Sequence, residues 1–399
     1  MEMAQIYKFV NTATTETLGQ SDLVEEDLSN IVDVGERILN ANSMDKYVRS
    51  LVDHIGKVVF VNRPYTGVAP SVLRDGWEYG AILEKITAQM PKATENESWE
   101  LTDGTSYDPN IFYKPNVSAK FFNKRTTWEI PFSFTERQAR GSFSSASQMN
   151  GFLSMLDTAV SNSKTIKTSD MVQRTINNMI GETANSAANN DRGGTTRYVN
   201  VLADFNTKFN KTYRYLSQAI NDPDFIRYVA YVTSLYQARM KKMSTLFNIG
   251  GEPRFTPKDR LHTIMLAEFR TAAGIYLQSD VYHKELVALP ESEEVPYWQG
   301  MCDDANSLEP FDIATNSKVK VKISSDPGTS VEVDGVLGVM FDREALGVCN
   351  EDQRVTTNYN PKAEFYTNWY KVDTGYFNDL NENFVVFYAD DPSQPAPTP

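Results

Sequence analysis

The chain has few of the residues that usually carry catalysis or metal binding. Its 399 residues include two cysteines, Cys302 and Cys349, and three histidines, His54, His262 and His283. Two cysteines do not make a disulfide framework, which favours a reducing environment, and no histidine has a partner at zinc-ligand spacing. Phosphate-binding glycine loops and the serine-nucleophile and zinc-protease motifs are also missing. The sequence therefore predicts no enzyme, cofactor or metal, and a Cys–His nucleophile pair is the one catalytic alternative left open.

Long apolar runs and an excess of basic residues are missing as well. No run approaches the ~18 apolar residues of a transmembrane helix, and residues 1–5 lack the features of a signal peptide. The chain has 39 basic and 52 acidic residues, a net charge of -13, whereas broad phosphate binding needs clustered Lys and Arg. We therefore expect neither a membrane protein nor one that grips nucleic acid over a wide surface.

The charge is distributed unevenly along the chain. Residues 1–40 hold eight acids and two bases, and residues 372–399 hold five acids and no base. Residues 113–140 have the opposite balance, with two acids against Lys114, Lys120, Lys124, Arg125, Arg137 and Arg140. These segments are either ordinary solvated faces or complementary contacts between subunits.

The N-terminal region predicts an arm followed by helices. The polar, Thr-rich residues 1–20 indicate an extended arm. Asp22 with Glu25 is an N-cap signal, and the apolar spacing that follows predicts a helix to about Asn40. A second helix is expected at about 44–54, and the apolar residues 58–61 favour a strand.

Residues 71–134 predict a long two-stranded excursion with a polar tip. Trp77, Tyr79, Ala81 and Leu83 alternate with polar residues, and residues 127–134 alternate again with a period of two. Pro131 cannot donate to a neighbouring strand, so that strand is expected at a sheet edge. An isolated hairpin is only marginally stable and needs a surface to lie on.

Helical spacing then dominates a region with no proline between Phe132 and Asp222. Residues 149–180 predict a helix ~48 Å long if it is unbroken. The polar stretch 161–169 leaves two shorter helices as the alternative.

The remainder predicts a mixed α+β region. We expect a strand at 198–202, helices within 207–247 interrupted before Pro223, and a buried strand at 261–269. A hairpin near 318–333 places Glu332 across from alternating lysines. Further strands are expected at 336–341, 354–357, 365–372 and 384–388, followed by a disordered tail.

The C-terminal third carries a family resemblance. Residues 338–348, Gly-Val-Met-Phe-Asp-Arg-Glu-Ala-Leu-Gly-Val, resemble a stretch found in many tailed-bacteriophage major capsid proteins. Arg354-Val355-Thr356, Tyr359-Asn360-Pro361 and the final strand-like segments follow in the order of that family.

The resemblance implies an α+β major capsid fold and a division of the chain. It assigns residues 1–70 to an N-terminal arm and helices, and 71–134 to an extended β-hairpin loop (E-loop). Residues 135–195 would form the peripheral domain with a long spine helix, 196–353 the axial domain, and 354–390 the return strands of the peripheral domain. Residues 391–399 would be the disordered tail.

The resemblance also implies a function in the virion capsid, assembled in the bacterial host cytoplasm. Pentamers and hexamers would form an icosahedral phage head around double-stranded DNA without sequence-specific binding. Because the arm is too short for a fused scaffolding domain, a separate scaffolding protein is expected, together with a portal and, in some virions, a decoration protein. The predicted assembly contacts are Trp77, Tyr79, Lys114, Lys120, Lys124, Arg125, Trp128, Arg137 and Arg140. Another self-assembling shell or tail protein, such as an encapsulin-like nanocompartment, is the alternative.

Overall fold

A computed structural model gives the structure of the chain. It describes residues 3–21, 23–41, 43–61, 69–74, 83–88, 90–91, 93–96, 98, 100–114, 117–189, 193–278, 291–298, 319–322 and 330–395. The helices in these ranges are α1 Met3–Leu18, α2 Ile31–Asn40, α3 Met44–Val61, α4 Glu136–Ser142, α5 Ala146–Ala188, α6 Gly194–Arg197, α7 Val201–Phe209, α8 Leu216–Ala219, α9 Pro223–Met240 and α10 Ala267–Gln278. The strands are β1 Leu73–Arg74, β2 Leu83–Ala88, β3 Val117–Phe122, β4 Arg125–Thr135, β5 Tyr198–Asn200, β6 Leu261–Leu266, β7 Glu293–Val295, β8 Val319–Lys322, β9 Ser330–Val333, β10 Val336–Asp342, β11 Leu346–Asn360, β12 Phe365–Asn378 and β13 Phe384–Tyr388.

A four-stranded sheet has the order β1-β11-β12-β4. Along β12 every second side chain from Tyr366 to Thr374 is buried, as expected for a strand with one face on a core. That core contains Tyr366, Tyr370 and Val372 together with apolar residues of α1, α2 and α3. β4 forms the outer edge, so the predicted edge position of Pro131 is confirmed.

A five-stranded sheet has the order β5-β13-β10-β6-β7. All seven residues of its central strand β10 are buried, which matches a continuous apolar run covered on both faces. Gly338 lies where β10 passes β6, and a Cβ there would be 2.7 Å from the Ile264 carbonyl oxygen. The first residues of the stretch that resembles phage capsid proteins, 338–342, thus belong to strand β10, which packs closely against β6.

The helix α5 connects the two cores. It spans 43 residues without a break, or ~65 Å at ~1.5 Å per residue, so the single-helix prediction is confirmed. The N-cap of this helix is Ser145, whose side chain accepts a hydrogen bond from the Gln148 backbone N–H. The first half packs on the N-terminal helices through Met149, Leu153, Leu156 and Val160, and the second half belongs to the core of the five-stranded sheet.

The second half of α5 is buried on every side. All residues from 170 to 184 are buried, including Gln173, Arg174 and Asn178. A helix enclosed in this way needs polar partners as well as apolar ones, because buried polar groups must be satisfied. The Arg174 guanidinium lies 5.5 Å from the ring centre of Tyr376, a cation–π contact that serves this purpose.

The prediction of an extended arm at residues 1–20 is wrong, because residues 3–18 form α1. Ile6, Phe9, Val10 and Ala13 are buried on one helical face, at the spacing of an amphipathic helix. The threonines that argued against a helix donate their hydroxyls to carbonyls four residues earlier, as Thr14 does to Val10 at 2.7 Å. The hydroxyls are thereby satisfied within the helix, and tertiary packing outweighs the low helix propensity of threonine.

Other element boundaries also differ from the sequence-based expectation. The helix predicted from about 22 begins only at Ile31, after a turn in which Leu28 has φ 60. The strand predicted at 58–61 is the end of α3, since a short apolar run fits either structure. The strand predicted to 269 ends at Leu266, and the helical region predicted to 247 ends at Met240. The predicted helix start at Pro223 is confirmed, and the structure adds Asp222 as its N-cap.

The tail prediction is partly wrong. Residues 391–395 pack against the body of the subunit instead of being disordered. The Asp391 carboxylate accepts a 2.9 Å hydrogen bond from the Asn206 side chain, and its carbonyl accepts one from Arg214 at the same distance. Residues 396–399 lie outside the described part of the chain. By contrast, the predicted hairpin of β8 and β9 is confirmed, with Lys320 opposite Glu332.

Candidate assembly hairpin

The strands β2 and β3 form a separate two-stranded hairpin, in register from Leu83 opposite Phe122 to Ala88 opposite Val117. We call it the assembly hairpin. Its root is the end at Leu83 and Phe122, and its tip is residues 93–114. The sequence-based pairing was wrong in one respect. β4 is not the second strand of this hairpin, because it pairs along its whole length with β12.

The described residues of the tip are exposed throughout. Phe112 and Tyr113 are each 82% exposed, and Leu101, Ile111 and Tyr107 are also largely open to solvent. A contiguous set of exposed apolar side chains on a folded protein marks an interaction site. The tip is therefore built for contact with another surface.

The tip is also acidic. Its described residues include Glu95, Glu100, Asp103 and Asp108, against the single base Lys114. The combination of aromatic and acidic side chains favours a partner surface with an apolar recess and a basic rim.

Ion pairs tie the root of the hairpin to the body of the subunit. The Lys85 ammonium donates to Asp379 Oδ2 at 2.8 Å, to Glu382 Oε1 at 3.4 Å and to the Glu344 carbonyl oxygen at 2.9 Å. The side chains of Lys85, Asp379 and Glu382 are 15%, 3% and 12% exposed. Because they are shielded from water, these contacts fix geometry more firmly than a surface pair would.

The cross-strand neighbour of Lys85 joins the same cluster. Lys120 donates to Asp379 Oδ1 at 3.0 Å, and Arg254 lies 3.4 Å from Glu382. Burial alone would raise the pKa of Asp379, but the hydrogen bond and charge of Lys85 hold it below its ordinary value. For Glu382 burial prevails over Lys85 and Arg254, and the pKa is raised. The cluster thus keeps Asp379 ionised as the shared acceptor for both strands.

The structure separates the nine predicted contact residues into groups. Trp77 and Tyr79 lie outside the described residues. Lys120 and Trp128 have partners within the subunit: Lys120 binds Asp379, and Trp128 is 8% exposed and packs in the core beneath the four-stranded sheet. The ion pair of Lys120 and the burial of Trp128 leave these two side chains to position the hairpin and its neighbouring strand.

The other five predicted residues are exposed, namely Lys114, Lys124, Arg125, Arg137 and Arg140. Arg140 has a local partner, since its Nε donates to Glu136 Oε1 at 2.8 Å. The Tyr359 hydroxyl also donates to Glu136 at 2.7 Å, and these two hydrogen bonds lower the pKa of that carboxyl. Of the remaining four, Lys114 lies at the end of the tip, and Lys124, Arg125 and Arg137 place positive charge between the hairpin and the start of α4.

Replacing Trp128 with phenylalanine should destabilise the subunit without changing how it associates. The indole Nε1–H donates to Thr374 Oγ1 at 2.8 Å, and a buried hydrogen bond contributes about 1 kcal/mol. We expect the midpoint of thermal unfolding to fall by a few degrees and particle assembly to be retained. A variant that unfolds like the parent but no longer assembles would instead place Trp128 at an interface.

Several determinants of the hairpin had no signal in the sequence. Lys85 and Asp379 are 294 residues apart, so no local pattern joins them. Phe112 and Tyr113 could have been noticed as adjacent aromatics in a polar stretch, but their exposure required the structure.

The described residues offer little for other classes of function. No group of His, Cys, Asp or Glu side chains among them has the arrangement of a metal site. None of the described helices combines the length and hydropathy that a membrane crossing requires. Cys349 is completely buried, a setting in which a thiol is usually inert, and Cys302 and His283 lie outside the described ranges.

Comparison with known proteins identifies the family. The family model of the Phi29-like phage major capsid protein matches residues 9–388. No curated protein matches the sequence. Among solved structures, the capsid of Staphylococcus phage Andhra has a TM-score of 0.50 at 10% identity, covering 80% of this chain and 83% of that one. The capsid of Cyanophage P-SCSP1u has a TM-score of 0.45 at 10% identity, covering 82% and 90%.

The matched residues include both sheets, the helix α5 and the assembly hairpin, so the family assignment rests on nearly the whole chain. The likeness to the Andhra capsid shows the fold alone at 10% identity, and it confirms the expected α+β capsid fold. The chain belongs to the Phi29-like phage major capsid protein family and is a structural protein of a phage capsid shell.

Proposed function

We propose that the chain forms the pentamers and hexamers of an icosahedral phage head that encloses double-stranded DNA. The observation that carries this proposal is the assembly hairpin, whose root is fixed by shielded ion pairs while its aromatic tip is exposed. A hairpin whose root is fixed and whose apolar tip is exposed suits a subunit that contacts its neighbour through that tip. Each copy then both provides and receives a contact, as closed rings require.

The same proposal assigns each part of the subunit to a region of the capsid fold. The hairpin with its tip serves as the extended loop, and β4, β11, β12, α4 and the first half of α5 form the peripheral region with the N-terminal helices. The five-stranded sheet with α7, α9 and α10 forms the axial region around the capsomer centre. The limit of the extended loop moves from residue 134 to about 124, because β4 pairs with β12.

The proposed partners are other copies of the chain, a separate scaffolding protein and a portal, with a decoration protein as a further candidate. Assembly takes place in the host cytoplasm, and the protein acts without catalysis or cofactor. The net charge of -13 supports a shell that contains DNA without holding it, since an acidic wall repels phosphate and leaves the genome mobile.

Electron microscopy of the purified full chain, alone and co-expressed with the proposed scaffolding protein, tests this function. We expect closed icosahedral shells whose capsomers are pentamers and hexamers. A homogeneous monomer without rings or shells under every condition would contradict the proposal. Shells found in infected cells with an enzyme as cargo instead of DNA would support the nanocompartment alternative.

A further inference from the structure

A small cavity lies beside the root of the assembly hairpin. Its volume is about 270 Å³, and its walls come from the end of β3, the turn before β4, the last residues of β12 with the turn after them, and Glu182 of α5. Phe122, Tyr376 and Leu380 give it an apolar lining, and Asn123 and Lys124 stand at its margin. Since ligand pockets start at ~300 Å³, the space suits a side chain or two better than a folded segment.

The exposed margin of this cavity carries positive charge, while its one acidic wall residue, Glu182, is buried. Lys124 lines the cavity and is exposed, Arg125 follows it in the chain and is also exposed, and residues 113–128 contain no acid. Phe121, directly before the cavity-lining Phe122, is 62% exposed and extends the apolar surface outward. An aromatic recess with a positive margin is the complement of an aromatic tip with a negative margin.

The tip of the same hairpin has those complementary properties. Among the described residues of the tip, Phe112 and Tyr113 are the most exposed large apolar side chains, at 82% each. Asp103 and Asp108 are exposed nearby in sequence. Aromatic side chains that enter pockets are the usual anchors of protein interfaces.

A hairpin cannot easily insert its tip beside its own root. Each of its strands has six residues, so the paired part is ~20 Å long and keeps tip and root at opposite ends. The ion pairs of Lys85 and Lys120 with Asp379 hold the root against the body. Complementary surfaces at opposite ends of one hairpin can meet between two copies, and such a head-to-tail contact closes into a ring where the rotation between copies allows it.

We propose that Phe112 and Tyr113 of one subunit insert into the cavity formed by Phe122, Tyr376 and Leu380 of the next copy. The exposed acids of the tip then face Lys124 and Arg125. This inference rests on the proposed capsid function and adds to it a specific receiving site and its occupant.

Photo-crosslinking in assembled particles tests the contact directly. Phe112→p-benzoylphenylalanine keeps an aromatic group at the tip, and irradiation should produce dimers and higher covalent multimers. Peptide mapping should place the bond at residues 121–124 or 376–380. The same amino acid at Tyr231, which is 56% exposed on α9, serves as the control and should give no product at those peptides.

A second experiment blocks the cavity without disturbing the core. Asn123 is exposed at the margin, so Asn123→Trp should leave the subunit folded and reduce particle yield at least about tenfold, the effect of losing a ~1.4 kcal/mol anchor. Asn123→Ala should assemble like the parent protein.

The outcomes separate this inference from the function on which it rests. Normal particles in which position 112 links to other peptides, links within its own chain or forms no link would overturn the receiving site and leave the capsid function intact. Normal yield from Asn123→Trp would also overturn it. Failure of the unmodified chain to form particles would instead contradict the capsid function.

Discussion

Replacing Gly338 with valine should prevent the subunit from reaching a stable native state. Gly338 lies on the central strand β10 between β6 and β13, where a Cβ would be 2.7 Å from the Ile264 carbonyl oxygen and 3.2 Å from Met265 Cγ. Both obstacles belong to a neighbouring buried strand and cannot move aside cheaply. Overpacking of a core lowers the free energy of unfolding by roughly 1–3 kcal/mol or more. A clash with the backbone of a fully buried sheet should give a value at the upper end of that range.

Soluble yield and the midpoint of thermal unfolding measure this effect. Gly274→Val is the matched control, because Gly274 lies on α10 and a Cβ there would have no atom within 4 Å. Valine has a better helix propensity than glycine, so the control should be as stable as the parent or slightly more so. If Gly338→Val were soluble with an unchanged unfolding midpoint, the close approach of β10 and β6 would be wrong.

Replacing Phe112 and Tyr113 together with aspartate should abolish assembly and leave the subunit folded. Both side chains are 82% exposed and contribute nothing to either core, so the free energy of unfolding should not change. Removing one anchor residue weakens binding at an interface by about 2 kcal/mol or more. The double variant removes two such residues from each contact between neighbouring subunits. We expect particle yield to fall at least a hundredfold.

Circular dichroism, thermal unfolding and electron microscopy of the same preparation distinguish loss of folding from loss of assembly. Tyr231→Asp provides a control for the type of substitution, since it introduces one aspartate at another exposed aromatic. Particles at the parent's yield from the double variant would show that the exposed aromatics of the tip are not an assembly contact.

The parts of the fold that could be predicted are those whose signal is local. The apolar spacing from Met149 to Ile180 identified α5, and the alternation at residues 127–134 identified β4 and its edge position. The stretch at 338–348 identified the family, and Gly338 shows part of the physical basis of that pattern. In each case the residues that carry the signal also make the packing contacts.

The parts that failed depend on contacts between distant segments. Lys85 lies opposite Lys120, a like-charged pair that argues against this register, until Asp379 supplies a shared acceptor from the far end of the chain. Likewise, threonine-rich α1 is helical because Ile6 and Val10 find a core formed by α2, α3 and β12. The cavity beside the root of the hairpin joins Phe122 to Leu380 and could not be anticipated from either segment.

The continuous helix α5 has a consequence for how a shell of these subunits acquires its shape. Its first half is embedded in one core and its second half, enclosed on all sides, in the other. Bending the body between the two cores would therefore require breaking helical hydrogen bonds or exposing buried polar groups, both of which are costly. The body of the subunit is therefore stiff, and in a shell of the proposed pentamers and hexamers differences in curvature must be absorbed outside it, at the contacts between subunits.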